Sequence, residues 1–108
     1  MSETLRRVQA LVHGGDFIIS RHGFRELAAD DIIAQDVLAG LRSAVVIEDY
    51  PDSRKEPSVL VLQHDRDGRP IHVMWGVPKA EGRPAILVTA YRPAPGRWSA
   101  DLMRRTKP

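Results

Sequence analysis

The stretch Val59-Leu60-Val61-Leu62-Gln63-His64-Asp65-Arg66-Asp67-Gly68-Arg69-Pro70-Ile71-His72-Val73-Met74-Trp75-Gly76-Val77 decides the fold. Its second half alternates: Ile71, Val73, Trp75 and Val77 fall on one side of an extended chain, His72 and Met74 on the other. Asp67-Gly68 between two apolar runs is a hairpin signal, because both residues tolerate the positive φ of a tight turn. The reading is therefore a pair of antiparallel strands, 59–64 and 69–77, with the Ile71 face toward the core. A two-residue turn puts Val59, Val61 and Gln63 on the His72 face.

Two further strands flank this hairpin. Residues 44–49 and 84–92 carry the same Val, Ile and Leu enrichment, and Pro51 and Pro57 bound a polar connection. The six residues 78–83, with Gly82, form a looser hairpin loop, which sets His72 opposite Thr89 and Pro70 opposite Tyr91. One sheet face is then expected to carry Gln63, His72, Thr89 and Tyr91.

Upstream the period lengthens to that of a helix. Leu5, Val8, Leu11 and Val12 mark a first helix ended by Gly14-Gly15. Residues 16–19 are a short extended stretch leading to Ser20, an N-cap residue for a helix over 21–29. Phe24, Leu27 and Ala28 form one face of that helix, and His22, Arg25 and Glu26 the other. Asp30-Asp31 caps a third helix with Ile33, Val37 and Leu41 at intervals of four, and Gly40 near its end. A last short helix over 98–105, capped by Ser99, is expected after Pro93 and Pro95. The fold class is α+β: N-terminal helices on one face of a four-stranded antiparallel sheet, plus a short C-terminal helix, in one domain over 1–108.

Composition narrows the function classes. The chain has 108 residues and no cysteine, so disulfides and thiolate metal sites are excluded. Sixteen Lys and Arg against 14 Asp and Glu leave a formal charge of +2, a mild preference for an anionic partner rather than a nucleic-acid signature. The longest apolar runs are too short to span a bilayer, and residues 1–13 lack a secretory pattern, so no membrane partner and a cytoplasmic setting are expected.

There is no phosphate-cradling glycine loop, zincin motif or serine elbow. What remains is a constellation of His, Tyr, Arg and Glu. His22 and Glu26 lie one helical turn apart, where a carboxylate can orient an imidazole as a general base; the plainer reading is a solvated pair worth about 0.2–0.5 kcal/mol. His72, amid apolar neighbours, is either satisfied by Thr89 or Tyr91 or exposed for chemistry. Tyr91 and Arg92 end their strand, where side chains reach a sheet edge, although strict alternation turns Arg92 away from His72. A histidine metal site is not expected, since alternation separates His64 from His72 and His13 ends the first helix.

The segments Ile19-Ser20-Arg21-His22-Gly23-Phe24-Arg25-Glu26, Pro70-Ile71-His72-Val73 and Leu87-Val88-Thr89-Ala90-Tyr91-Arg92-Pro93, followed by Trp98, resemble the bacterial family catalogued as domain of unknown function 4258, over about residues 16–105. Members of that family resemble RelE-like and MqsR-like ribonuclease toxins and often sit beside a gene for a zinc-ribbon antitoxin. The resemblance implies a RelE-like fold, a type II toxin acting as a metal-independent endoribonuclease without cofactor, and an antitoxin partner of the zinc-ribbon type. It points to His22, Glu26, His72, Thr89, Tyr91 and Arg92 as catalytic candidates. Arg21, Arg25, Arg104 and Arg105 are candidate RNA contacts. RNA supplies its own nucleophile, the 2′-OH, so such an enzyme needs a base at that hydroxyl, a cation at the phosphate and an acid at the departing 5′-oxygen. A non-catalytic protein- or nucleic-acid-binding module is the alternative, favoured by the lack of a dense Lys and Arg cluster near His72.

Overall fold

The computed structural model describes residues 2–54 and 56–106. Three helices, α1 (Glu3–His13), α2 (Arg21–Ala29) and α3 (Ala34–Gly40), precede most of a five-stranded sheet: β1 (Phe17–Ile19), β2 (Val45–Tyr50), β3 (Ser58–His64), β4 (Pro70–Gly76) and β5 (Ala85–Tyr91). The strand order is β1-β5-β4-β3-β2. Four strands are antiparallel, but β1, the stretch read only as extended, adds a fifth. It runs parallel to β5, pairing Ile18 with Ile86, so the sheet is mixed. A three-residue strand carries too little alternation to announce itself; the β5 edge beside it recruits it.

The helices cover the face expected of them. Val59, Val61, Ile71, Val73, Trp75, Leu87 and Ala90 form one core with Leu5, Val8, Leu27, Ile32, Val37 and Leu41. No described helix is long and apolar enough to cross a membrane.

The central hairpin differs by one residue from its expected register. Asp65 N donates to Arg69 O (3.0 Å) and Gly68 N to Asp65 O (2.9 Å), giving a three-residue loop closed by Gly68 at φ 79°. The Asp65 carboxylate braces it by accepting from Asp67 N and Arg69 N, both 2.9 Å. His72 therefore pairs with Leu62, and Gln63 with Ile71. A shift of one reverses every side chain. Val59, Val61 and Gln63 belong to the core face rather than the His72 face, and His64 shares the His72 side instead of opposing it.

Buried Gln63 then becomes a structural tie. Its Nε2 donates to Val37 O of α3 (2.7 Å), and its Oε1 accepts from Trp75 Nε1 (3.1 Å).

Helix α2 docks differently from its apolar pattern. Gly23 and Leu27 face the sheet, whereas Phe24 is 68% exposed and Ala28 is exposed. Ser20 sets this rotation: its N donates to Leu87 O and its Oγ to Val88 O, both 3.0 Å, while accepting from Gly23 N. A Cβ at Gly23 would lie 2.7 Å from Leu87 O, so only glycine lets the helix come this close.

The third helix begins later than expected. Ile33 is its N-cap without a side-chain bond, Asp31 takes a left-handed turn (φ 52°), and Ile32 rather than Ile33 enters the core. Asp30 is instead the C-cap of α2, and its carboxylate accepts from Arg92 N (2.8 Å). The expected C-terminal helix is replaced by a folded-back loop over 97–106. Thr106 N donates to Arg97 O, Ser99 N to Arg104 O and Leu102 N to Ser99 O, with Leu102 at φ 65°. A segment this short gains little as an isolated helix, and its Trp98 packs edge-on to His72.

Candidate functional site

The C-terminal loop lies over the sheet face opposite the helices, and His72 is enclosed between them. Strand β4 delivers the imidazole and β5 delivers Tyr91 directly opposite, since His72 pairs with Tyr91 rather than with Thr89. Between the pairs Met74–Thr89 and Trp75–Leu87 the register shifts, leaving Val88 as the extra residue of a β-bulge. That bulge keeps Ala90 on the core face and Tyr91 on the His72 face. Its carbonyl is the one Ser20 holds.

His72 is fully buried, and both ring nitrogens are engaged. Nε2 lies 2.9 Å from Leu102 O, which can only accept, so Nε2 carries the proton. Nδ1 then presents its lone pair to the Tyr91 hydroxyl at 3.3 Å, and the phenol donates. Burial, the largest influence, pushes the His72 pKa below its ordinary value, with Leu102 O opposing it, so the ring favours its neutral form. Burial likewise raises the Tyr91 pKa and keeps the phenol protonated. Edge-to-face contacts with Tyr91 (ring centroids 5.3 Å apart) and Trp98 (4.3 Å) complete the enclosure.

A second line of groups runs from the β2 edge to the loop. Tyr50 OH donates to Glu48 Oε1 (2.6 Å), Glu48 pairs with Arg105 (3.2 Å), and the Arg105 guanidinium sits 5.3 Å from the Trp98 ring centre. Beyond Tyr91 opens a groove of about 620 Å³ lined by Tyr91, Arg92, Arg97, Trp98, Arg105 and Thr106 among others.

The sequence candidates are divided by this arrangement. His72, Tyr91 and Arg105 gather at one place. Thr89 shares the face one pair along but makes no side-chain hydrogen bond among the described residues. Arg92 turns to the other side, where it pairs with the nearly buried Asp65 carboxylate (3.0 Å) and reaches Pro70 O (3.4 Å). Its guanidinium clamps the end of β5 to the β3–β4 turn, so the expected phosphate cation is already committed. Arg21, His22 and Arg25 are exposed on α2, and His22 makes no hydrogen bond to Glu26. Arg104 is exposed on the loop.

Trp98, Arg97 and Glu48 were not among the sequence candidates. Glu48 was concealed by a second bulge, at Val46/Glu48, that resets alternation along β2. No three His, Asp or Glu side chains gather at metal-binding distance among the described residues.

Comparison with curated proteins and with solved structures yields no match. The model of the family described as Domain of unknown function (DUF4258) matches residues 19–92, from the strand before α2 through the end of β5, and so spans Ser20, Gly23, His72 and Tyr91. The chain belongs to the DUF4258 family.

Proposed function

We propose that this protein is a metal-independent endoribonuclease of the type II toxin kind, restrained by an antitoxin, with Tyr91 and His72 as its proton-handling pair. The observation that carries the reading is the position of one phenol: Tyr91 donates inward to a buried neutral imidazole and borders an arginine-lined groove. Because its hydrogen is committed to His72 Nδ1, its oxygen has lone pairs free to accept from a 2′-OH. As the 2′-oxygen forms its bond to phosphorus and the 5′-oxygen bond breaks, the 2′-OH proton passes to Tyr91 and the phenolic proton to Nδ1. The departing 5′-oxygen takes a proton from water in the open groove, and the hydroxide so formed recovers the proton from His72 by way of Tyr91, restoring the neutral pair. Arg105, with Arg97, offsets charge developing on the phosphate, in place of Arg92. Exposed Arg21, Arg25 and Arg104 extend the basic surface in this reading, whereas His22, Glu26 and Thr89 take no step. The likeness to RelE-like and MqsR-like toxins, the zinc-ribbon antitoxin and a cytoplasmic setting belong to the same proposal.

Purified protein incubated with single-stranded RNA in excess EDTA tests it. Tyr91→Phe keeps the ring and removes only the hydroxyl; cleavage is expected to fall about 100-fold or more, typical of a lost acid–base group. Cleavage that requires added metal, or that Tyr91→Phe leaves intact, overturns the reading.

The complete burial of His72 favours a second reading, a non-catalytic RNA- or protein-binding module in which the imidazole only fastens the loop. Protein that binds RNA in the same assay and never cuts it supports the module.

A further inference from the structure

We propose that the groove beside Tyr91 binds the backbone of a single RNA strand through Arg97 and Arg105, and that Glu48 is a stand-in for phosphate, holding Arg105 while the groove is empty. This deepens the preceding reading and rests on it for the identity of the strand, but not for its cleavage.

The three groove arginines are not equivalent. Arg92 is bound to Asp65, whose side chain is only 4% exposed, and is not free to exchange. Arg105 is paired with Glu48 at 3.2 Å, but the two side chains are 61% and 33% exposed. Water screens a pair of that kind, and a phosphate offering two acceptor oxygens to a planar guanidinium competes with it well. Arg97 makes no ion pair among the described residues, and it is exposed at the groove wall. One cation is therefore available and a second is held by an exchangeable carboxylate.

The aromatic groups decide between single strand and duplex. Trp98 and Tyr91 line the same groove as these cations. Bases stacked inside a duplex cannot reach such rings, whereas a single strand can splay its bases onto them. Displacing Arg105 from Glu48 also frees it to move off the Trp98 ring, which lets the strand occupy both contacts.

The chain holds two tryptophans, and Trp75 is fully buried away from the groove, so a change in emission on binding reports chiefly on Trp98. The probe is a short single-stranded 2′-deoxy oligonucleotide, which cannot be cleaved through a 2′-OH. Binding should quench the emission and weaken steeply with salt. Arg97→Gln should weaken it about tenfold. Glu48→Gln should tighten it about two- to fivefold, since Gln still accepts from Tyr50 but no longer carries the charge that draws Arg105. Glu81→Gln, which removes an exposed acid from the β4–β5 loop, controls for net charge and should leave it within error. Near-UV circular dichroism of each variant shows whether the loop stays folded.

Arg97→Gln binding like the parent, Glu48→Gln indistinguishable from Glu81→Gln or weaker than the parent, or a duplex of the same sequence binding as well as the strand, each overturns the proposal. Failure of the two readings is separable. Binding with these responses but no RNA cleavage removes the ribonuclease and keeps the groove. RNA cleavage with unaltered binding by both variants does the reverse.

Discussion

Gln63 illustrates how much one side chain can settle. Polar and fully buried, it joins α3 to the Trp75 indole, and the described residues leave no buried side-chain polar atom without a partner. Gln63→Leu fills similar space but strands the Trp75 N–H and the Val37 carbonyl. At about 1–3 kcal/mol for each buried group left unpaired, urea unfolding should show a loss of about 3 kcal/mol. A loss near zero would mean that water reaches both groups. The sequence did single out Gln63, but placed it on the wrong face. The signal that corrects it was present: Asp65 and Gly68 occupy the first and fourth positions of a type I turn, which calls for the three-residue loop. Asp67-Gly68 alone suggests the two-residue one.

Among the elements, the junction of α2 with β5 was the least readable. A helix that presents a phenylalanine, a leucine and an alanine on one face normally buries all three. Here Ser20 and Gly23 fix the approach before side-chain packing can, and Phe24 is left outside. Gly23→Ala tests that claim because helix propensity and packing oppose each other. Propensity alone predicts a gain of about 1 kcal/mol, whereas the 2.7 Å approach to Leu87 O forces the helix outward. We expect a net loss of about 1–3 kcal/mol in chemical denaturation, typical of overpacking. Stabilisation would show that α2 moves off β5 without cost. The same junction holds the Val88 bulge, which aims Tyr91 at His72. Gly23→Ala should therefore also weaken any property that depends on their hydrogen bond.

For the molecule as a whole, the sheet is covered twice, by helices on one side and by the C-terminal loop over His72 on the other. The second cover makes stability depend on pH. The folded state holds His72 with a pKa below its ordinary value of 6.5, chiefly through burial. The unfolded chain therefore binds the proton more readily. Stability from the neutral ring is complete above about 6.5 and falls as the pH drops toward the folded value. Between pH 7.5 and 5.5 urea unfolding should register a loss of stability, bounded by the limit of about 1.4 kcal/mol per pH unit for one proton. His72→Gln can still donate to Leu102 O but cannot titrate, and should flatten that part of the profile. A parent profile with no slope in this window would contradict the enclosure of the imidazole.

The sequence by itself determined the α+β class, the three helices, four of the five strands and the presence of an imidazole and a phenol on one sheet face. These follow from periodicity, caps and turn residues, which act within a few positions of one another. Tertiary structure alone decided the parallel β1 edge, the pairing of His72 with Tyr91 through the Val88 bulge, the burial of His72 beneath the loop and the commitment of Arg92 to Asp65. Each depends on a contact between residues distant in the chain or on a bulge that resets alternation, and local pattern carries no record of either.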